Sequence, residues 1–276
     1  MLKTICKQLA PPALVSGVKW LLSKTLCANR ELRWEGSFAS WQEACAASEG
    51  YDAEGIFAKV VHAARQVRDG QCAYERDAVC FYSPCLNEHL TTAILLAALR
   101  SGDRLNVVDF GGGLGSTYQQ NRIVLDHVPG LSWNVVEQSH VATCGKNEFA
   151  TDVLSFWTSL EEFTSANRGK RIDVIIFSSV LQYLETPYAV LQQTIDLQPE
   201  VIYLGRTPLA SEGDRLTVQH VPASIYRASY PCWLLDKKRI EALLAQNYTY
   251  APWVHSSIDP EFFMETFAWR AGINSR

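Results

Sequence analysis

A cluster of glycines is the sequence feature that most directly predicts chemistry. It follows an apolar segment, residues 105–109, with the composition of a buried strand, and it precedes a helical pattern at residues 117–127. Glycine has no side chain, so a ligand can lie against the backbone of such a loop, close to the free N–H groups of the next helix. The glycines are Gly111, Gly112, Gly113 and Gly115.

The spacing of these glycines indicates which ligand the loop suits. A dinucleotide site has the pattern G-x-G-x-x-G, whose third glycine lets the helix pack on the strand. Counted from Gly111, that third position is Ser116, and counted from Gly112, the second position is Leu114. The sequence instead fits D-x-G-x-G-x-G, starting at Asp109. A carboxylate at the strand end repels a pyrophosphate and favours a cationic ligand.

The D-x-G-x-G-x-G pattern resembles that of class I S-adenosylmethionine-dependent methyltransferases, whose cofactor is cationic and has no phosphates. A second acid, Glu137, with Gln138 beside it, ends the next predicted strand at residues 133–137 and can accept hydrogen bonds from both ribose hydroxyls. An NAD-binding protein would share this acid, so the carboxylates indicate a nucleoside and the glycine spacing indicates its kind. We expect S-adenosylmethionine as cofactor and S-adenosylhomocysteine as product.

A third element resembles the fourth-strand region of the same enzymes, where the strand end lines the methyl-transfer site. A predicted central strand, residues 172–178, leads into a turn and an apolar, aromatic segment. Ser178, Ser179 and Gln182 are therefore expected to lie beside the cofactor. A core strand followed by a helix, with no role in binding, remains the alternative for these three residues.

Most of the chain from about residue 34 resembles a family of class I methyltransferases found in surface-polysaccharide gene clusters. The resemblance implies O-methylation of a sugar or glycolipid intermediate in the cytoplasm. Two alternatives stay open: a catalytically silent nucleoside-binding module that regulates or scaffolds glycan assembly, and an NAD(P)-dependent sugar-modifying enzyme, which Ser116 disfavours. The matching stretches are residues 34–36 with Trp41, then 67–77, 108–112, 120–122, 133–138, 178–188, 206–208, 218–226 and 228–231.

Methyl transfer to a hydroxyl requires alignment of donor and acceptor and removal of a proton, so polar residues outside the loop are candidates for the acceptor site. Glu75 is a candidate base, Arg76 can orient an anionic group, His220 has an unperturbed pKa suited to base catalysis, and Tyr226 can line the cleft. Each has a structural alternative. Residues 74–77 fit a solvated charge cluster or a salt bridge between the N-terminal segment and the core, while His220 and Tyr226 fit packing roles.

Composition narrows the class of protein. With 276 residues, 47% of them hydrophobic and 20% charged, the chain has the composition of a folded protein. The net charge of −4 disfavours nucleic acid as a partner. The eight cysteines contain no C-x-x-C pair, which favours free thiols, and the histidines show no spacing typical of a metal site.

The pattern of elements predicts an α/β fold, with a mostly parallel Rossmann-like sheet that ends in an antiparallel pair at residues 248–255 and 262–270. We expect residues 1–90 to form a helical cap or lid and residues 91–276 to form the cofactor-binding domain. Residues 1–24 contain four lysines and no acid. They fit either an amphipathic segment at a membrane surface or a helix packed on the body, and we favour the second. The sequence does not determine the oligomeric state.

Overall fold

The computed structural model describes residues 33–49, 53–102, 104–221, 228–256 and 263–271, so residues 1–24 and Tyr226 lie outside the described residues. The helices in these ranges are α1 (Trp41–Ala47), α2 (Ala53–Arg68), α3 (Glu88–Ser101), α4 (Ser116–Leu125), α5 (Ser139–Glu148), α6 (Leu160–Ala166), α7 (Pro187–Asp196) and α8 (Lys237–Leu244), with a 3-10 turn at Leu181–Tyr183. The strands are β1 (Arg33–Glu35), β2 (Tyr74–Arg76), β3 (Val79–Phe81), β4 (Leu105–Phe110), β5 (Leu131–Val136), β6 (Leu154–Trp157), β7 (Val174–Ser178), β8 (Val201–Thr207), β9 (Leu209–Ala210), β10 (Arg215–His220), β11 (Ser229–Asp236), β12 (Tyr248–Tyr250), β13 (Val254–His255) and β14 (Met264–Arg270).

The main sheet has the strand order β12–β14–β8–β7–β4–β5–β6, and β13 pairs with β14 at its side. β5, β4, β7 and β8 run parallel to one another, as does β6 to β5, while β14 runs antiparallel to β8 and to β12. This is a mostly parallel, Rossmann-like sheet with antiparallel C-terminal strands. The predicted fold class is confirmed.

The central strands are almost continuously apolar because helices cover both faces of the sheet. In β4, Val107 lies in one hydrophobic core and Val108 lies in a second core on the opposite face. In β7, Ile175 and Ile176 alternate in the same way, and none of the four side chains has any exposed surface. Because both faces of these strands are buried, β4 and β7 pair in one register, which places their carboxyl ends side by side.

A second, smaller sheet has the order β1–β10–β11–β9 and is absent from the sequence-based prediction. Three of its strands come from the chain between β8 and α8, while β1 comes from the N-terminal segment and pairs antiparallel with β10. Helix α1 packs beside this sheet, where Trp41 stacks on Trp233 with 6.4 Å between the ring centroids. The N-terminal segment is therefore joined to the rest of the molecule by strand pairing as well as by helix packing.

Besides α1 and α2, the described part of residues 1–90 contains β1 and a hairpin formed by β2 and β3, strands that the prediction of a helical cap or lid does not include. The two turn residues of the hairpin, Asp77 and Ala78, have φ of 50° and 65°. Positive φ at both positions, as in a type I′ turn, matches the twist of the flanking strands. Tyr74 stacks on Phe81 across the hairpin, with 4.7 Å between the centroids. The domain boundary near residue 90 stays a prediction.

Other elements follow the sequence pattern to different degrees. Helical patterns at residues 187–197 and 236–246 predict two helices, which the structure forms as α7 and α8. Asp236, the predicted N-cap of the second, caps α8 with a side chain that accepts a hydrogen bond from the N–H of Lys238. The predicted strand at residues 248–255 is divided into β12 and β13. The helices α3, α5 and α6 and the strand β6 are additional elements of the core that the pattern leaves unassigned.

No helix in the described ranges is both long enough and apolar enough to cross a bilayer. The same ranges contain no group of three or more histidine, cysteine or acidic side chains arranged to hold a metal ion.

Gly145 provides a test of the packing between α5 and β6. A Cβ at this position would overlap the ring of Phe156. We expect Gly145→Ala to destabilise the protein by about 1–3 kcal/mol, although alanine is the better helix former. Urea unfolding measures the change, and Asn147→Ala, at an exposed position of α5, is the control, expected to stay within about 0.5 kcal/mol of wild type. Equal stability of Gly145→Ala and wild type would contradict this packing.

Candidate functional site

The carboxyl ends of the parallel strands define one edge of the main sheet, which we call the carboxyl edge. β4 leads into the glycine loop, residues 111–115, and β5, β7 and β8 also end at this edge. Gly111 lies against Val180, in the turn after β7, and Gly115 lies against Leu154 of β6. Ligands of open α/β sheets bind at this edge, where the strand order reverses.

Asp109 lies beneath the glycine loop and has no exposed surface. Its Oδ2 accepts a hydrogen bond from Nε1 of Trp133 at 3.2 Å, and its Oδ1 has no hydrogen-bond partner among the described residues. Burial, with a smaller contribution from the charge of Glu137, raises the pKa of Asp109 to about 7, although the Trp133 and Thr117 side chains favour its charged form. An ionised Asp109 is therefore short of one polar or cationic partner.

The glycine loop folds closely around this carboxyl group. A Cβ on Gly112 would lie 2.5 Å from Oδ2 of Asp109, so a side chain does not fit at this position. Gly113 has φ of +60°, and a Cβ there would meet only Oγ of Ser116, at 3.8 Å. The N–H of Gly113 donates a hydrogen bond to Oε1 of Glu137 at 3.2 Å. The loop therefore offers open space lined by backbone between the two acids.

Glu137 directly follows β5 and is partly exposed. Its Oε2 accepts a hydrogen bond from the N–H of Gln138 at 2.8 Å, so the predicted residue Gln138 contacts Glu137 through its backbone. Burial raises the pKa of Glu137, while the bonds from Gln138 and Gly113 lower it. In the described ranges no lysine or arginine forms an ion pair with Asp109 or Glu137. Two neighbouring acids without a cationic partner favour a cation and disfavour a phosphate.

Glu75, in β2, is buried beside the end of the glycine loop, with 3% of its surface exposed. The hydroxyl of Ser116, the first residue of α4, donates a hydrogen bond to its Oε1, and the N–H of Ala78 donates to its Oε2 at 3.3 Å. Burial raises the pKa of Glu75 to about 6, although the bond from Ser116 opposes this shift. Glu75 is therefore not part of a solvated charge cluster.

The residues that follow Glu75 attach the hairpin to the core. Arg76 donates from Nη2 to Oε1 of Gln120, in α4, at 3.0 Å, and its guanidinium lies over the ring of Phe81 at 5.5 Å. Asp77 lies 3.4 Å from Nη2 of Arg206, at the end of β8. The hairpin thus spans the carboxyl edge from α4 to β8. This is the salt bridge between N-terminal segment and core that the sequence leaves as an alternative.

The turn after β7 is hydrogen-bonded to β8. Ser178 ends β7, and Ser179 has φ of 59° and donates its N–H to the carbonyl of Gly205 at 2.9 Å. Gln182, which has no exposed surface, donates from Nε2 to Oγ of Ser179 and to the carbonyl of Arg206, both at 3.2 Å. The three predicted residues of this turn therefore share the carboxyl edge with the glycine loop.

Tyr183 connects the second sheet to this turn. Its hydroxyl donates to Oε1 of Gln219, in β10, at 3.1 Å, and its ring packs edge-on against Tyr230 at 5.1 Å between the centroids. His220 points to the opposite face of β10, because successive side chains of a strand alternate, and its Nε2 lies 3.1 Å from Oε2 of Glu35. The structure thus brings Gln219, rather than His220, to the side of β10 that faces the turn.

Several residues of the carboxyl edge were not predicted as site residues, namely Ser116, Tyr183, Arg206 and Gln219. Tyr183, Arg206 and Gln219 lie within the stretches of sequence resemblance, and Ser116 is the position that departs from the dinucleotide pattern, but neither type nor spacing predicts that these residues meet at the site. Arg122, by contrast, is the helix-surface arginine that the pattern favours, since it pairs with Asp126 at 3.0 Å and its side chain is 58% exposed. The role of Tyr226 stays a prediction.

No family model and no curated protein matches the chain. Among solved structures, the N-terminal domain of EvdMO1 in the presence of S-adenosylhomocysteine and D-fucose is 15% identical, with 80% of this chain and 98% of that chain covered and a TM-score of 0.48. Magnesium protoporphyrin IX methyltransferase from Synechocystis PCC 6803 is 17% identical, with 66% and 83% covered and a TM-score of 0.42. CalS10, an amino pentose methyltransferase from Micromonospora echinaspora, is 14% identical, with 67% and 90% covered and a TM-score of 0.43. At these values the similarity carries no inference about activity, which has to come from the residues themselves.

The buried carboxyl group of Glu75 leads to a testable dependence of stability on pH. Its pKa is about 6 in the folded protein and near 4.5 otherwise, so stability present below pH 4.5 is lost as the pH rises through 6. Glu75→Gln removes this loss and can keep both hydrogen bonds, because Gln accepts from Ala78 and donates to Oγ of Ser116. We expect its stability relative to wild type to increase by about 1 kcal/mol from pH 5 to pH 7.5.

Urea unfolding at both pH values measures this difference. Glu212→Gln is the matched control, since Glu212 is exposed, and it is expected to show the same difference from wild type at both pH values. A difference between Glu75→Gln and wild type that does not depend on pH would contradict the shifted pKa.

Proposed function

We propose that the chain is an S-adenosylmethionine-dependent methyltransferase that methylates a hydroxyl group of a sugar or glycolipid intermediate. One observation carries the cofactor: Asp109, buried under the glycine loop, has an oxygen without a partner among the described residues and a neighbour, Glu137, of the same charge. A cationic nucleoside supplies the positive charge that this pair lacks. A dinucleotide would instead bring phosphates toward the two carboxylates.

The residues present fit this cofactor. The open space at Gly113 lets a ligand lie against the backbone, and Glu137 stands at the end of β5, where a carboxylate can accept hydrogen bonds from ribose hydroxyls. Asp109 and the loop can hold the positively charged part of the ligand. When bound, the cofactor supplies a methyl group on a positively charged sulfur, which a nucleophile attacks in line.

Glu75 is our candidate for the base that removes the acceptor proton. A pKa of about 6 leaves its carboxyl group charged near neutral pH and close to the range in which a general base is effective. Hydrogen bonds from Ser116 and Ala78 hold the Glu75 side chain beside the end of the glycine loop. Arg76 and His220 stay candidates from the sequence, with their present partners Gln120 and Glu35.

The acceptor class is supported by the sequence resemblance to methyltransferases of surface-polysaccharide clusters. The polar turn after β7 and the face of β10 that carries Gln219 form the part of the carboxyl edge beside the loop where such an acceptor can lie. We place the reaction in the cytoplasm on the same resemblance. Contact with a membrane surface through residues 1–24 remains a prediction outside the described residues.

Binding of S-adenosylhomocysteine tests the cofactor site. We expect saturable heat in titration calorimetry with the wild-type protein, and a loss of affinity of about tenfold or more for Asp109→Ala and for Glu137→Ala, because each removes a charged hydrogen-bond partner. Asp126→Ala, at the exposed end of α4, is the control and is expected to bind like wild type.

The outcomes separate the alternatives. If millimolar S-adenosylhomocysteine produces no heat and no thermal shift, the proposal is contradicted. Binding without methyl transfer to any lipid-linked or polymer acceptor is the result expected for a silent nucleoside-binding module. Binding of NAD in preference to S-adenosylhomocysteine would indicate the dinucleotide alternative.

The raised pKa of Asp109 predicts that binding of the cationic cofactor depends on pH. A cation binds the charged form of Asp109, which is a minor form below its pKa of about 7. We expect the Kd for S-adenosylmethionine to fall about fivefold between pH 6 and pH 7, as Asp109 loses its proton. Calorimetry at the two pH values measures this, and Asp109→Asn is expected to bind more weakly with little pH dependence. Equal Kd values for the wild-type protein at both pH values would contradict this role.

A further inference from the structure

Arg206 has a strained backbone at the carboxyl edge. Its φ is 50°, a conformation that is strained for a residue with a side chain, so it persists only where the surroundings hold it. The carbonyl of Arg206 accepts a hydrogen bond from Nε2 of Gln182 at 3.2 Å, which contributes to holding it. The conformation directs the guanidinium toward Asp77 in the hairpin turn, beside the end of β8.

The guanidinium of Arg206 is only partly paired. Its side chain is 13% exposed, and its ion pair is with Asp77, 3.4 Å from Nη2. Its Nε is buried and has no partner within the described part of the chain. Asp77 has a side chain that is 55% exposed, so solvent screens this ion pair and it contributes little to stability. Since a guanidinium has five N–H donors and buried donors are normally satisfied, Arg206 is suited to a further anionic partner.

The groups around Arg206 form a polar cluster at the ends of β7 and β8. Gln182 has no exposed surface, and its Oε1 has no partner among the residues described. Its Nε2 donates to the carbonyl of Arg206 and to Oγ of Ser179, which links the cluster to the end of β7. The cluster therefore contains the largely buried guanidinium of Arg206, its counter-ion Asp77, and neutral donors and acceptors.

We propose that Arg206 binds an anionic group, a carboxylate or a phosphate, on the methyl acceptor, and that Asp77 is the counter-ion which this group displaces. The proposal rests on the proposed methyltransferase function, since it places the acceptor at the ends of β7 and β8. The planar guanidinium binds either group through two parallel hydrogen bonds, which an exposed carboxylate at 3.4 Å does not match. The acceptor is then a sugar acid or a phosphorylated sugar, rather than a neutral sugar.

A nuclear magnetic resonance titration tests this directly. The Nε–H resonance of Arg206 is followed in ¹⁵N-arginine-labelled protein, with acetate and inorganic phosphate as probes and chloride at the same ionic strength as reference. We expect a saturable shift with acetate or phosphate, and the probe with the lower midpoint identifies the carboxylate or the phosphate source. Arg122, whose Nε already donates to Asp126 at 3.0 Å, is the internal control. No saturable shift at Arg206, or one equal to that at Arg122, would overturn the proposal.

Two variants separate anion binding from docking of the hairpin. Asp77→Asn removes the competing carboxylate, so the midpoint is expected to fall about two- to fivefold. Arg206→Lys keeps the charge without the planar fork; followed by phosphorus or carbon resonances of the probes, its binding is expected to be weaker. If the ion pair only docks the hairpin, both variants lower the Tm equally and leave anion binding unchanged, which would overturn the proposal.

The test is independent of the cofactor. The titration is carried out with and without S-adenosylhomocysteine, and both variants are expected to bind S-adenosylhomocysteine like wild type. Absence of S-adenosylhomocysteine binding in the wild-type protein contradicts the proposed function, whereas a missing shift at Arg206 contradicts the anion site alone.

Discussion

The buried carboxyl group of Asp109 is the constraint on which the rest of the site depends. It has no exposed surface, so its charge is costly unless a donor or a cation reaches it. Trp133 can donate to it only because β5 pairs with β4 in the observed register, and the loop can close over it only because residue 112 is glycine. The same pairing brings Glu137 to the N–H of Gly113. A single buried group thus requires the strand order, the register and the glycines together.

The hairpin formed by β2 and β3 extends this arrangement with charges from outside the main sheet. Glu75 contacts Ser116 at the start of α4, and Asp77 pairs with Arg206 at the end of β8, so one turn contacts two sides of the carboxyl edge. The second sheet adds Gln219, bonded to Tyr183. The hairpin and the second sheet therefore supply the residues of this site that the glycine loop and the acid after β5 do not. This agrees with the placement of the proposed acceptor next to them.

Part of this fold follows from local patterns. The strand β4, the glycine loop and α4 are predicted because apolar runs, glycines and helical periodicity are contiguous in the chain, and α7 and α8 are predicted for the same reason. The second sheet is not predicted, since its strands are short and β1 pairs with β10, far along the chain. The hairpin turn is also hidden, because Asp77 and Ala78 adopt positive φ without the glycine or asparagine that normally signals such a turn. For these reasons the sequence predicts the helices of the N-terminal segment but not its strands.

The D-x-G-x-G-x-G loop and the acid at the end of β5 follow from the sequence alone, because each is a local pattern of residue types. The class of sheet follows from the alternation of apolar runs and helical patterns along the chain. Which other side chains meet at this site depends on contacts between distant parts of the chain. Ser116 and Glu75 are 41 residues apart and Arg206 and Asp77 are 129 apart, and no local preference relates them. The face of β10 that meets the turn after β7 was likewise decided by strand pairing, which turned Gln219 toward Tyr183 and His220 toward Glu35. Burial and long-range strand pairing, rather than residue type, therefore decide which of these side chains reach the site.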